Sequence, residues 1–199
     1  CYYIINICHT FASLNFQCEM LKAFAGPYGG VRYIPTGGIN AANMKDYLAF
    51  SKVLAVGGSW MVKPEWVAAG RFDEISRLCR EAVMGALNFE LRHVGINEPN
   101  ADVSLTETSL MCSLFGFALK EGNSSNFAGA GFEFMKTPYL GTNGHVALST
   151  LDVSRAVAFL SRKGVGIRPE TEKRDKGGAL TSVYLDREIG GFALHLIKR

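Results

Sequence analysis

The stretch Val31-Arg32-Tyr33-Ile34-Pro35-Thr36-Gly37-Gly38-Ile39-Asn40, read with Val53-Leu54-Ala55-Val56-Gly57-Gly58-Ser59-Trp60, decides the fold of the first half of the chain. Each opens as a mainly apolar run and closes on a glycine pair. A helical segment comes after each: residues 40–50 with Asn40 as N-cap, then a helix opened by Pro64, a residue suited to the first helical position. A strand, a glycine turn and a helix, given twice in succession, predict a parallel sheet, because parallel strands need a crossover and the helix supplies it. Outward from this pair, residues 19–25 read as a helix closed by Gly26-Pro27. Residues 73–87 read as a last helix with Ile75, Leu78, Cys79, Ala82 and Val83 at helical spacing.

The chemistry of this half lies in its two turns. Glycines just past a strand let backbone N–H groups point outward, and the next helix adds its positive end, so Thr36, Gly37 and Gly38 with Gly58 and Ser59 are expected to cradle an oxyanion. In (β/α)8 barrels phosphate sits at the loops after the last two strands. The plainer alternative is a pair of tight turns without a ligand.

From about Phe89 the pattern changes. Arg92-His93-Val94-Gly95-Ile96 is echoed by Gly144-His145-Val146-Ala147-Leu148, and each is followed by a helix opened by Asp-Val-Ser (from Asp102 and from Asp152) and stopped by Gly116 or Gly164. Three β-like runs come after each helix: residues 117–121, 125–128 and 132–137, then 166–171, 180–186 and 191–198. The expectation is βαβββ twice, in modules 89–140 and 144–199. Period-2 alternation puts His93, Gly95 and Asn97 on one face against Val94 and Ile96, and His145, Ala147 and Ser149 against Val146 and Leu148. The large apolar faces should lie under the helices. Glu133 and His195 take the equivalent place on the closing strands, so His93, Glu133, His145 and His195 form a symmetric set. Three imidazoles and a carboxylate suit a divalent Zn, Ni, Fe, Co or Mn ion with positions open for water or an oxygen-bearing substrate.

Composition narrows the partners. The 199 residues carry 21 Lys+Arg against 18 Asp+Glu, net +3 and interspersed, so no basic stripe is available to track nucleic acid. Five Cys, an odd number with no C-x-x-C pair, predict neither a disulfide framework nor a thiolate zinc site and fit a reducing cytoplasm. Residues 1–18 have no charged side chain, yet Asn6, His9, Thr10, Ser13, Asn15 and Gln17 make them too polar for a membrane span. They differ in style from the sequence after residue 18 and are set apart as an anomalous segment, so that the chain reads as a fragment with units at 19–88 and 89–199.

Leu21-Lys22-Ala23, Gly26-Pro27, Pro35-Thr36-Gly37-Gly38-Ile39, Asn43, Tyr47-Leu48 and Val56-Gly57-Gly58-Ser59-Trp60 resemble the C-terminal portion of 2-keto-3-deoxy-6-phosphogluconate (KDPG) aldolase, over residues 19–88. That resemblance implies the last two βα units of a (β/α)8 barrel, aldehyde-lyase chemistry releasing pyruvate through a lysine Schiff base without a metal, and a phosphorylated keto-acid substrate. It also implies a trimeric parent protein. It puts the phosphate groups on Thr36, Gly37, Gly38, Gly58 and Ser59, and the Schiff-base lysine near Cys8, where this chain has none before Lys22. Aldolase activity is therefore expected to be absent. Residues 89–199 resemble the vicinal oxygen chelate superfamily of glyoxalase-like proteins, whose metal positions fall on His93, Glu133, His145 and His195. The alternative function is that this second unit is the only working part, as a metal-dependent enzyme or a small-molecule binder.

Overall fold

The structure is a computed structural model that describes residues 3–8 and 14–199, with side chains described from residue 19 onward. The chain divides into two compact units, Cys1–Asn88 and Phe89–Arg199.

In the first unit, strand β1 (Tyr3–Cys8) pairs in parallel with β2 (Val31–Thr36) across helix α1 (Leu14–Ala25). The helix starts five residues earlier than expected, so the boundary drawn at 18/19 falls inside one continuous helix. Of the segment set apart at the N-terminus, residues 1–2 and 9–13, with His9, Thr10 and Ser13 among them, lie outside the described residues. A third parallel segment comes after β2, but the strand expected at 53–56 is reduced to single bridges, Tyr33 with Val53 and Thr36 with Gly57. Pro35 explains the loss. Tyr33 N–H donates to Lys52 O at 2.8 Å and Leu54 N–H to Tyr33 O at 3.0 Å, yet the next rung would need an N–H that proline lacks, and pairing resumes only at Gly57 N–H to Pro35 O, 2.9 Å.

Helices α2 (Met44–Ala49), α3 (Pro64–Ala68) and α4 (Phe72–Leu87) complete this unit. Leu21, Tyr33, Met44, Tyr47, Leu48 and Val53 are buried together with Ile39 as its core. The cap expected at Asn40 moves to Asn43, because Asn40 is occupied in the turn: its Oδ1 accepts from Ala42 N–H at 2.9 Å, and its own N–H donates to Asn43 Oδ1 at 2.8 Å. Asn43, 2% exposed, also donates through Nδ2 to Gly38 O at 2.9 Å. That side chain ties the glycine turn to the helix. Asn43→Ala is expected to cost about 1–3 kcal/mol, since it removes both hydrogen bonds that this buried amide makes to the turn backbone, each worth about 0.5–1.5 kcal/mol, and urea unfolding would read it.

The second unit is one eight-stranded sheet. Its first module is β3 (Glu90–Asn97), α5 (Ala101–Phe115), β4 (Leu119–Glu121), β5 (Ser125–Ala128) and β6 (Phe132–Met135); its second is β7 (Gly144–Thr150), α6 (Val153–Ser161), β8 (Ile167–Arg174), β9 (Leu180–Ile189) and β10 (Phe192–Lys198). The spatial order β4-β5-β6-β3-β7-β10-β9-β8 is palindromic in module position, with β3 and β7 joined antiparallel at the centre. The first helix is capped by Asn100, two residues before the expected Asp102, through Oδ1 accepting from Val103 N–H at 2.9 Å. Asp152 caps α6 in the same way at Arg155 N–H.

The apolar strand faces expected under the helices are only half-buried at Val94, Ile96, Val146 and Leu148, while Gly95, His145, Ala147 and Ser149 on the histidine face are buried. Phe134 does lie buried under α5, but α5 turns Ser104 and Thr108 inward while Leu110, Leu114 and Phe115 are exposed. A buried network fixes that orientation: Ser104 Oγ donates to Phe134 O at 2.8 Å, Asn126 Nδ2 donates to Ser104 Oγ at 3.0 Å, and Thr108 Oγ1 donates to Ser104 O at 2.5 Å.

Candidate metal centre

Two rungs of the central sheet build the site. In one, His93 and His195 sit on either side of Ala147; in the next, Glu133, Gly95, His145 and Ala193 stand side by side across β6, β3, β7 and β10. All project to the same face, as the alternation predicted. The small residues are what let the imidazoles converge. A Cβ added to Gly95 would fall inside the His145 ring, and Ala147 and Ala193 are fully buried beneath the cluster.

The donors meet closely. His93 Nε2 lies 3.0 Å from His145 Nε2, and Glu133 Oε2 lies 3.1 Å from the first and 3.3 Å from the second. The imidazole donors of His93, His145 and His195 all fall within 4.8 Å of one another. Nitrogen and oxygen ligands about 2.1 Å from one ion must stand roughly 3.0–3.5 Å apart at octahedral or tetrahedral angles, so the His93, His145 and Glu133 spacing fits a single divalent ion. Without an ion, the facing Nε2 atoms need a proton between them. The other nitrogens of His145 and His195, both Nδ1, are buried without a hydrogen-bond partner.

Side chains around the set hold it in place. Ser125 Oγ donates to Glu133 Oε1 at 2.5 Å, which fixes the carboxylate with Oε2 toward the histidines. Ser182 Oγ lies 2.6 Å from His195 Nε2, and the Tyr184 ring stacks flat on the His195 ring at 4.3 Å. Burial alone would push the Glu133 carboxyl up, but hydrogen bonds from His145, His93 and Ser125 and the charge of His93 outweigh it and hold Glu133 well below the usual carboxylate range. Burial first, then the neighbouring His145, His93 and Lys173, push His195 down to about 3, so it is neutral near pH 7. Burial, with the Glu133 charge adding, keeps the Tyr184 phenol protonated beyond its ordinary range.

Both depressed groups act on stability in the same direction. Unfolded His195 takes up its proton near pH 6.5 and unfolded Glu133 near 4.3, whereas the folded protein resists both. Stability of the metal-free protein is therefore full above about pH 6.5 and lost as pH falls from there toward about 3. Urea unfolding at pH 7 and pH 5 should show a clear loss, and His195→Phe should flatten that dependence.

In the first unit, the segments that carry the expected cradle lie side by side: Thr36 bridges Gly57, and Cys8 pairs with Thr36 at the end of β1. Gly37 and Gly38 have φ of 86° and 68°, a backbone that L side chains rarely adopt. Gly58 has a packing reason of its own, since a Cβ there would fall inside the Trp60 ring; Ser59 is exposed. Residues 7–78 match the family model for KDPG and KHG aldolase. The Escherichia coli K12 KHG/KDPG aldolase is 51% identical over 75 residues, 38% of this chain and 35% of the relative. The Dickeya dadantii 2-dehydro-3-deoxy-phosphogluconate aldolase is 49% identical over the same length. The chain thus spans about a third of the length of these curated aldolases.

Among solved structures, a methylmalonyl-CoA epimerase in complex with methylmalonyl-CoA and NH4+ covers 54% of this chain and 92% of its own, at 18% identity and a TM-score of 0.40. A 4-hydroxy-2-oxoglutarate aldolase/2-deydro-3-deoxyphosphogluconate aldolase from TTHB1 covers 39% of this chain and 36% of its own, at 30% identity and a TM-score of 0.31. No helix among the described residues is long and apolar enough to cross a membrane.

The four residues expected from the sequence come together in one cluster, whereas Ser125, Ser182 and Tyr184 beside them were not expected. Each lies on the same face as its histidine or glutamate partner, one strand over. The pairing register that brings them together is not written in any local pattern.

Proposed function

We propose that the working centre of this chain is a divalent-metal site on the second unit, held by His93, Glu133, His145 and His195, that binds an oxygen-bearing small molecule. The observation that carries this reading is the meeting of Glu133 Oε2 with the Nε2 atoms of His93 and His145 at ion-ligand spacing. A bound Zn, Ni, Fe, Co or Mn ion would supply Lewis acidity toward a carbonyl or carboxylate oxygen. The chain's own residues do the rest. Ser125 keeps the carboxylate aimed, neutral His195 offers a lone pair near pH 7, and the protonated Tyr184 phenol is a hydrogen-bond donor beside it. Nickel or zinc at a hundredfold excess over its Kd should stabilise the protein by about 2.7 kcal/mol, seen as a rise in unfolding temperature; an unchanged unfolding curve with Zn, Ni and Mn would reject the site.

For the first unit the reading is an aldolase part: the C-terminal βα units of a (β/α)8 barrel, with β1 and α1 among them, Thr36, Gly37, Gly38, Gly58 and Ser59 as a phosphate cradle for a keto-acid substrate, and a parent protein that forms trimers. The identity to KDPG/KHG aldolases over this stretch supports it. Imine chemistry needs an amine, and the sequence has no lysine before Lys22, with Cys8 at the counted position. A coupled pyruvate assay on KDPG with borohydride trapping is expected to give neither turnover nor adduct. A trapped lysine adduct would contradict this.

A further inference from the structure

We infer that Ser182 is a positioning residue that selects which nitrogen of His195 faces the metal centre, engaging Nε2 and leaving Nδ1 as the ligating atom; the inference rests on the metal-centre reading. Ser182, 7% exposed, lies on β9 opposite Ile197, on the same face as Tyr184, which pairs with His195 across β9 and β10. Its Oγ stands 2.6 Å from His195 Nε2. The Tyr184 ring lies parallel to the imidazole, at an interplanar angle of 0°, and so opposes its rotation away from that partner.

A neutral imidazole carries its proton on one nitrogen and a lone pair on the other, and a metal takes only the lone pair. With Nε2–H donating to Ser182 Oγ, the lone pair is on Nδ1, which is buried and has no partner. The opposite tautomer would bury an N–H at Nδ1 with no acceptor, which is the disfavoured arrangement. His93 and His145 turn Nε2 toward each other and toward Glu133. His195 therefore differs from them in its ligating atom, and Ser182 is the reason. No proton need leave His195 when an ion binds.

The test is nitrogen-15 NMR of the imidazoles in the metal-free full chain at pH 7, paired with nickel titration of wild type, Ser182→Ala and Ser182→Thr. The expected result is Nε2-protonated His195 in wild type and a mixture of tautomers in Ser182→Ala. Nickel affinity should fall about 10–100-fold in Ser182→Ala and be largely restored in Ser182→Thr, which keeps the hydroxyl. Wild-type His195 protonated on Nδ1, or Ser182→Ala with unchanged tautomer and nickel affinity, overturns the inference. If wild type binds no nickel, it is the metal-centre reading that fails, and the wild-type spectrum still decides for or against the Ser182 bond. That spectrum needs no variant to fold.

Discussion

His145→Ala is expected to abolish nickel and zinc binding, weakening it by more than the about 10–100-fold typical of losing a residue that merely orients a ligand. His145 is 3% exposed and stands at the middle of the cluster, within 3.0 Å of His93 Nε2 and 3.3 Å of Glu133 Oε2. Its removal takes away a donor and also one of the hydrogen bonds that hold the buried Glu133 carboxylate in its charged form. The metal-free variant should accordingly lose about 1–3 kcal/mol of stability. Isothermal titration with nickel and urea unfolding read the two effects; saturable binding of wild-type strength would count against His145 as a ligand.

Gly95→Ala should be nearly as damaging, although it adds a single methyl group. The new Cβ would occupy the space of the His145 imidazole, and fully buried Ala147 and Ala193 leave the displaced ring no room to settle nearby. Overpacking of this kind costs about 1–3 kcal/mol, and moving the ring off its shared point with His93 and Glu133 should lower nickel affinity at least tenfold. Gly131→Ala is the matched comparison. Nothing lies within 4 Å of a Cβ added there, so stability and nickel binding should both stay near wild type. Equal effects at the two glycines would mean that close approach at Gly95 is not what assembles the site.

The sequence was most legible where periodicity and punctuation agreed. The repeat around His93 and His145, the Asp152 cap and the αL stop at Gly116 led directly to two βαβββ modules, and period 2 together with the equivalence of the modules grouped His93, Glu133, His145 and His195. Long-range register was not legible. That Ala147 separates His93 from His195, and that Ser125 and Ser182 reach Glu133 and His195, result from strand pairing between residues up to 54 positions apart (His93 and Ala147), for which no local signal exists. One local rule also competed and lost. The apolar run at Val53 reads as a strand, but Pro35 on its neighbour removes the rung it needs. Which face of α5 turns inward carried no local signal: the hydrogen bonds of Ser104, Thr108 and Asn126 hold a polar face inward and leave Leu110 and Leu114 exposed.

The metal content of the chain itself tests the central claim most directly. Protein purified without chelator and analysed by inductively coupled plasma mass spectrometry, before and after loading with nickel or zinc and desalting, should carry one divalent ion per chain, and Glu133→Ala and His145→Ala should carry almost none. A wild-type chain that retains no ion after loading, or variants that retain as much as wild type, would contradict the account.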